Sequence, residues 1–205
     1  MNLFDLYYKE YENWFEKHQE IYTAEIETIK TLLPKGKGME VGVGSGKFAK
    51  PLGIKFGIEP SKKMAEIARK RGIEVLEITA EEMNFEEEFD FILMVTTICF
   101  VQNPLKTIQN CYKALKKGGY LLVAFVDLDS SLGKKYEKNK HNSKFYSTAT
   151  FFTKQDIIDL MKKAKFENFK CVENLYGDSF DNLTFQINQC NGGAFKVIRA
   201  TKTKN

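Results

Sequence analysis

The sequence predicts an α/β fold: a mostly parallel sheet with helices on both faces and an antiparallel hairpin at one edge. Three observations point there. Apolar residues alternate between strand-like runs and helical spacing along the chain. Two of the runs, "FDFILMV" (Phe89–Val95) and "YLLVAFV" (Tyr120–Val126), are almost continuously apolar, as strands covered on both faces must be. The strand-like "GMEV" hands over to a turn carrying Gly42, Gly44 and Gly46 at alternating positions.

In chain order, Leu3, Tyr7, Tyr11, Trp14 and Phe15, then Ile21, Ile26 and Ile29, recur at helical spacing up to Pro34 and Gly36. After the glycine turn, "IKFGIE" reads as a second strand running into Pro60. Ser61 is the N-cap and Gly72 the stop of the next helix, whose buried face is Met64, Ile67 and Ala68. "IEVLEI" is a third strand and Phe89–Val95 a fourth. Pro104 opens a helix with Leu105, Ile108, Cys111 and Leu115 on one side. "KKGG" stops it before the strand Tyr120–Val126. Thr153 and Asp156 have capping-box spacing ahead of Ile157, Leu160, Met161 and Ala164. Late strands near Phe169–Leu175 and Ala194–Ala200 supply the edge hairpin.

Composition bounds the function only mildly. A chain of 205 residues that is 43% hydrophobic fits one soluble domain. A net charge of +4 is too small to imply nucleic acid. The run Lys134, Lys135, Lys138, Lys140 and Lys144 reads as solvated surface. Cys99, Cys111, Cys171 and Cys190 show no metal or redox spacing, so free thiols in a reducing compartment and no metal site are expected. The apolar stretch Phe89–Val101 is too short to span a bilayer. "MNLFDLYYKEYENW" is charged from its fifth residue and does not resemble a signal peptide, so the expected location is cytoplasmic.

The glycines admit three readings: a phosphate loop, a dinucleotide fingerprint, or a cradle for a ligand without phosphate. The phosphate loop fails by position, because Val41 and Phe48 stand where Gly and Ser or Thr are required. A dinucleotide fingerprint begun at Gly44 lacks the acidic residue about twenty positions on. What fits is Glu40 before the turn and Glu59 at the end of the second strand, both at the top of a parallel sheet. Glycines let backbone approach a ligand closely. A strand-end carboxylate can accept both hydroxyls of a ribose, and one beside the turn suits an ammonium group. The ligand so described is an adenosine bearing an amino acid.

At this point the chain resembles the class I S-adenosylmethionine-dependent methyltransferases, a Rossmann-like fold. More narrowly it is similar to the menaquinone and ubiquinone C-methyltransferases. "EVGVGSG", "GIEPS", "TAEEMNF", "FDFILMV" and "ALKKGGYLLV" match that family's motifs in order, from Met39 to about Val126. The resemblance implies S-adenosylmethionine as cofactor, with Glu40, Gly42, Gly44 and Gly46 at its methionine portion and Glu59 with Pro60 at its ribose. Met64, Thr79, Ala80 and Glu81 would lie at the adenine, and the carbonyls of Val95 and Thr96 at the amino group. Thr79 departs from the family's common Asp and Asn84 from its common Pro. The candidate acceptor pocket is Tyr11, Trp14, Thr97, Cys99 and Tyr146.

One domain over 1–205 is expected. It comprises a helical cover (1–33), a cofactor-binding core (37–126), a candidate lid (127–152), and a C-terminal helix with edge strands (153–205). Each site residue also has a structural reading. Glu40 can satisfy turn amides, Glu59 can favour the following helix dipole, and Met64, Cys99 and Cys111 can be core. His18 and His141 are lone histidines without an assigned role. "TTICF" after the fourth strand is not the Asn/Asp-Pro-Pro-aromatic motif of nucleobase methyltransferases, so the expected acceptor is a small molecule. No general base is evident. The alternatives are a non-catalytic cofactor-binding protein and a Rossmann NAD(P) oxidoreductase.

Overall fold

The computed structural model describes residues 2–203. The remaining ends of the expected domain, residue 1 and residues 204–205, lie outside the described residues. Its strands are β1 (Gly38–Val41), β2 (Phe56–Ile58), β3 (Glu74–Leu76), β4 (Phe89–Val95), β5 (Leu115–Val126), β6 (Glu167–Asn174), β7 (Asn188–Gln189) and β8 (Phe195–Thr201). They form one sheet in the order β3-β2-β1-β4-β5-β8-β6-β7. The first five pair in parallel, and β8 runs antiparallel to both β5 and β6. Strand order reverses at β1, where the chain goes first to β2 and later to β4. The crevice above that point is where an open α/β sheet binds its ligand.

Strand β4 shows why its sequence has no polar face. Phe91, Leu93 and Val95 join the core beneath the helices α2 (Tyr8–Lys17) and α3 (Gln19–Lys30), which follow the short helix α1 (Leu3–Leu6). The helices α4 (Ala49–Leu52) and α5 (Lys62–Lys70) lie on this same side. Ile92 and Met94 join the opposite core, built with α6 (Pro104–Ala114) and α8 (Lys154–Lys163). The caps agree with the sequence. Ser61 Oγ accepts the Met64 amide, and Thr153 with Asp156 forms a complete capping box. Between β5 and α8 the chain forms α7 (Ser131–Asn139) and two short 3-10 turns.

Two expectations are corrected. "KKGG" does not separate helix from strand: α6 ends at Ala114, and β5 begins at once with Leu115 opposite Phe89. The next pair is Phe91 with Tyr120, so the glycines, with Gly118 at φ +80°, make a bulge inside the strand. The cysteines are not all free. Cys171 on β6 and Cys190 after β7 form a disulfide with Cα atoms 5.6 Å apart. The antiparallel pairing of Val172 with Gln189 brings together two cysteines 19 positions apart in sequence. No helix among the described residues is long and apolar enough to cross a membrane.

Candidate functional site

The glycine turn joins β1 to α4 at the sheet's reversal point. Gly42, Gly44 and Gly46 all have positive φ, +69°, +53° and +81°, but for different reasons. A Cβ on Gly42 would collide with the Thr97 side chain, and one on Gly46 with Ile73. A Cβ on Gly44 would enter the cavity, 3.3 Å from the Tyr11 hydroxyl and 3.8 Å from Met64 Cε. Glu59 ties this turn to the end of β2. Its Oε2 accepts the Gly44 amide and its Oε1 the Ser61 amide, each at 2.9 Å. Burial, only partly offset by those two amides, pushes the Glu59 carboxyl up to about 7.

Glu40 stands elsewhere. Its side chain is fully enclosed beneath the turn, and its Oε2 has no hydrogen-bond partner among the described residues. Burial and the Glu59 charge push its carboxyl well above the usual range. It does not line the cavity, and neither does Gly46.

Beyond the turn, the stretch 79–81 is braced from below. Asn110 Nδ2 donates to the Ala80 and Glu81 carbonyls at 3.1 Å each. The Glu81 carboxylate accepts the Gln102 and Asn103 amides. Thr79 turns back through its amide and hydroxyl to Glu82.

These parts floor a cavity of ≈ 830 Å³, within the size range of small-molecule sites. Aromatic rings in its remaining walls form a closed circuit. Trp14 touches Phe15, then Tyr11, Phe4, Phe100, Tyr146, Tyr136, Phe180 and Trp14 again, with successive centroids 5.0 to 6.2 Å apart. The circuit draws on the N-terminal helices α1 and α2, the loop after β4, the segment 131–148 and the 3-10 turn Phe180–Asn182, segments far apart in sequence.

The N-terminal helices are fastened to the cofactor loops. Asp5 Oδ1 accepts the Ser61 hydroxyl at 2.6 Å and the Lys63 amide at 3.0 Å. Glu12 pairs with Arg71 and with Lys47, and Arg71 also donates to the Ser45 carbonyl at 2.7 Å.

Comparison with known proteins agrees with this geometry. The family described as a methyltransferase domain matches residues 39–123. The uncharacterized protein MJ1123 of Methanocaldococcus jannaschii is 43% identical over 98% of this chain and 100% of its own. A Thermotoga maritima crystal structure, of a SAM-dependent methyltransferase and possible histamine N-methyltransferase, superposes with a TM-score of 0.95. It is 51% identical and covers 98% of this chain and 99% of that one. The chain belongs to the S-adenosylmethionine-dependent methyltransferases. An Archaeoglobus fulgidus SAM-dependent methyltransferase shares the fold, with a TM-score of 0.70 at 16% identity over 94% of this chain and 99% of that one.

In this methyltransferase the cavity brings together Gly42, Gly44, Glu59, Pro60, Met64, Thr79, Ala80, Glu81, Val95 and Thr96 with Tyr11, Trp14, Thr97 and Tyr146. Cys99 lies instead at a small separate void behind Tyr146 and Phe151. Burial pushes its thiol up to about 12, which makes it inert as a nucleophile. Sequence reasoning missed Glu25, which lines the cavity yet is only 6% exposed. A signal was present: Glu25 falls four residues after Ile21 and four before Ile29, on the buried stripe of α3. Phe4, Phe100 and Phe180 were also missed, because no local pattern shows that they converge with the rest.

Proposed function

We propose that this methyltransferase methylates a small-molecule acceptor held inside the aromatic circuit. One observation carries the reading: the glycine turn, the Glu59 carboxylate and the aromatic walls belong to a single cavity. Glu59 would hold the ribose, Gly42 and Gly44 the methionine portion, and the braced 79–81 backbone the adenine edge. The absence of a side chain at Gly44, whose Cβ would enter the cavity, fits such a tail. When bound, S-adenosylmethionine supplies a sulfonium methyl that needs no further activation. The chain's part is to align the acceptor and exclude water, with Tyr11, Trp14, Tyr136 and Tyr146 as walls.

The apolar walls together with the motif likeness to the quinone C-methyltransferases favour a second reading, a flat carbon acceptor of quinone type. Incubation with methyl-labelled S-adenosylmethionine and a cell extract, followed by size fractionation, tests the proposal. Label is expected in the small-molecule fraction. Label only in protein or nucleic acid contradicts it.

A further inference from the structure

Four glutamates line the cavity, and three of them have partners. Glu10 pairs with Lys144, Glu59 holds the Gly44 and Ser61 amides, and Glu81 holds the Gln102 and Asn103 amides. Glu25 has neither a hydrogen bond nor an ion pair among the described residues. A lone carboxylate in that setting destabilises the fold unless something brings it a proton or a positive charge.

No cation among the described residues supplies the charge. Of the cations on elements packed around α3, Lys9, Lys17, Lys50 and Lys170 are exposed, and Lys196 is held by Glu173 and Asp127, Lys47 and Arg71 by Glu12, and Arg199 by the Leu32 carbonyl. The titratable groups that feel Glu25 are phenols: Tyr11, Tyr22, Tyr136 and Tyr146. His18, at the junction of α2 and α3, has Nδ1 2.9 Å from the Trp14 carbonyl and stacks on the Trp14 ring. Tyr11, Trp14, Tyr136 and Tyr146 line the same cavity, and aromatic rings attract cations. A buried carboxylate within an aromatic wall is the chemistry that recognises a protonated amine.

We propose that Glu25 binds the basic nitrogen of the acceptor and takes its proton, so that the substrate class is a small amine with an apolar body. This rests on the small-molecule reading of the same cavity. The amine enters as an ammonium. Its proton moves from nitrogen to a Glu25 carboxylate oxygen, and the nitrogen keeps the electron pair. That pair forms the N–CH3 bond as the methyl's bond to sulfur breaks and its electrons stay on sulfur. Glu25 keeps that proton as the methylated ammonium leaves, which restores its resting state. Burial alone pushes the Glu25 carboxyl up to about 8, so at pH 7 it is protonated until an ammonium arrives. Binding therefore releases a proton.

The test is calorimetry at pH 7 in two buffers of different ionisation heat, with S-adenosylhomocysteine saturating. The probes are 2-phenylethylamine and its isostere 2-phenylethanol; the proteins are the parent, Glu25→Gln and Glu25→Leu. The amine is expected to bind the parent with proton release and to weaken about 10- to 150-fold in Glu25→Gln. Alcohol and S-adenosylhomocysteine affinities should not change with the substitution, and Glu25→Leu should melt higher than the parent. Amine binding indifferent to Glu25→Gln, or an alcohol that binds where the amine does not, overturns the Glu25 assignment. Failure of both probes with the parent also rejects the amine class. It leaves the small-molecule reading standing when label still enters the small-molecule fraction, and label confined to macromolecules rejects that reading too.

Discussion

The Glu59 carboxylate accepts the Gly44 amide at 2.9 Å, so the residue expected to hold the ribose also holds the glycine turn in place. Although Glu59 ends a strand, only 6% of it is exposed. The strand end lies beneath α1, whose Asp5 reaches over to Ser61 and Lys63. Glu59→Ala is therefore predicted to do two things. Cofactor affinity falls about 10- to 150-fold with the lost charge-assisted bonds. Stability also falls, by about 1–3 kcal/mol for an amide left unpaired. Calorimetry with S-adenosylhomocysteine and a melting curve check both. A fold as stable as the parent refutes the turn-holding role.

Gly44 and Gly46 should separate binding from folding. Gly46→Ala drives a methyl into Ile73 and is predicted to lower the melting temperature, while what remains folded binds cofactor. Gly44→Ala puts a methyl on the cavity floor 3.3 Å from the Tyr11 hydroxyl, with no contact under 3.0 Å, and is predicted to weaken S-adenosylhomocysteine binding with a smaller loss of stability. Equal effects on both measurements for the two variants contradict the assignment.

Glu12 anchors α2 to the cofactor loop through Arg71 and Lys47. Its side chain is 18% exposed, so solvent screens the pair only partly. Glu12→Ala is predicted to cost about 1.5–3 kcal/mol, the worth of hydrogen bonds to charged groups. In a chain of this size that is a melting shift of about 3–12 °C. Because Arg71 also holds the Ser45 carbonyl, cofactor affinity should fall as well, which a merely peripheral ion pair would not cause.

The buried carboxyls set a pH dependence. Glu25 at about 8 and Glu59 at about 7 hold protons that the unfolded chain, near 4.5, gives up. The folded state thus binds more protons between about pH 4.5 and 8. These groups contribute stability in full below 4.5 and lose it as pH rises, by up to about 1.4 kcal/mol per pH unit each. Glu173 runs the other way. Burial opposes its ionisation, but Lys196 and the amides of 191–193 hold it at about 2, so its contribution is lost as pH falls from 4.5 toward 2. Melting of the ligand-free protein is predicted to decline from pH 5 to pH 8, less steeply in Glu25→Leu. A rising profile would contradict these assignments.

The disulfide closes a segment between positions 19 apart, worth about 3 kcal/mol by loop-closure entropy. Reduction is predicted to lower the melting temperature by about 6–12 °C. A thiol assay of the denatured, unreduced protein should count two cysteines, Cys99 and Cys111. A count of four contradicts the pairing.

How much of this was legible in the sequence depends on how local each signal is. The caps at Ser61 and Thr153 and the continuous apolar run of β4 rest on short-range rules, and the structure carries them; of the glycine arrangement it brings Glu59, Gly42 and Gly44 to the cavity but leaves Glu40 and Gly46 off it. The bulge at Gly118 looked like a helix stop because a turn residue has the same appearance inside a strand as between elements. The Cys171–Cys190 pair needed the β6–β7 register. The aromatic circuit depends on packing four separate segments over one cavity. Glu25 was readable as a charge on an apolar stripe, but only the cavity explains why it is there.

The most direct test of the central claim is a crystal structure with S-adenosylhomocysteine bound. The ribose is expected on Glu59, the adenine against Ala80, the amino-acid tail over Gly42 and Gly44, and the sulfur facing the aromatic circuit. A ligand seated outside this cavity, or one whose sulfur points to solvent away from the aromatic circuit, would contradict it.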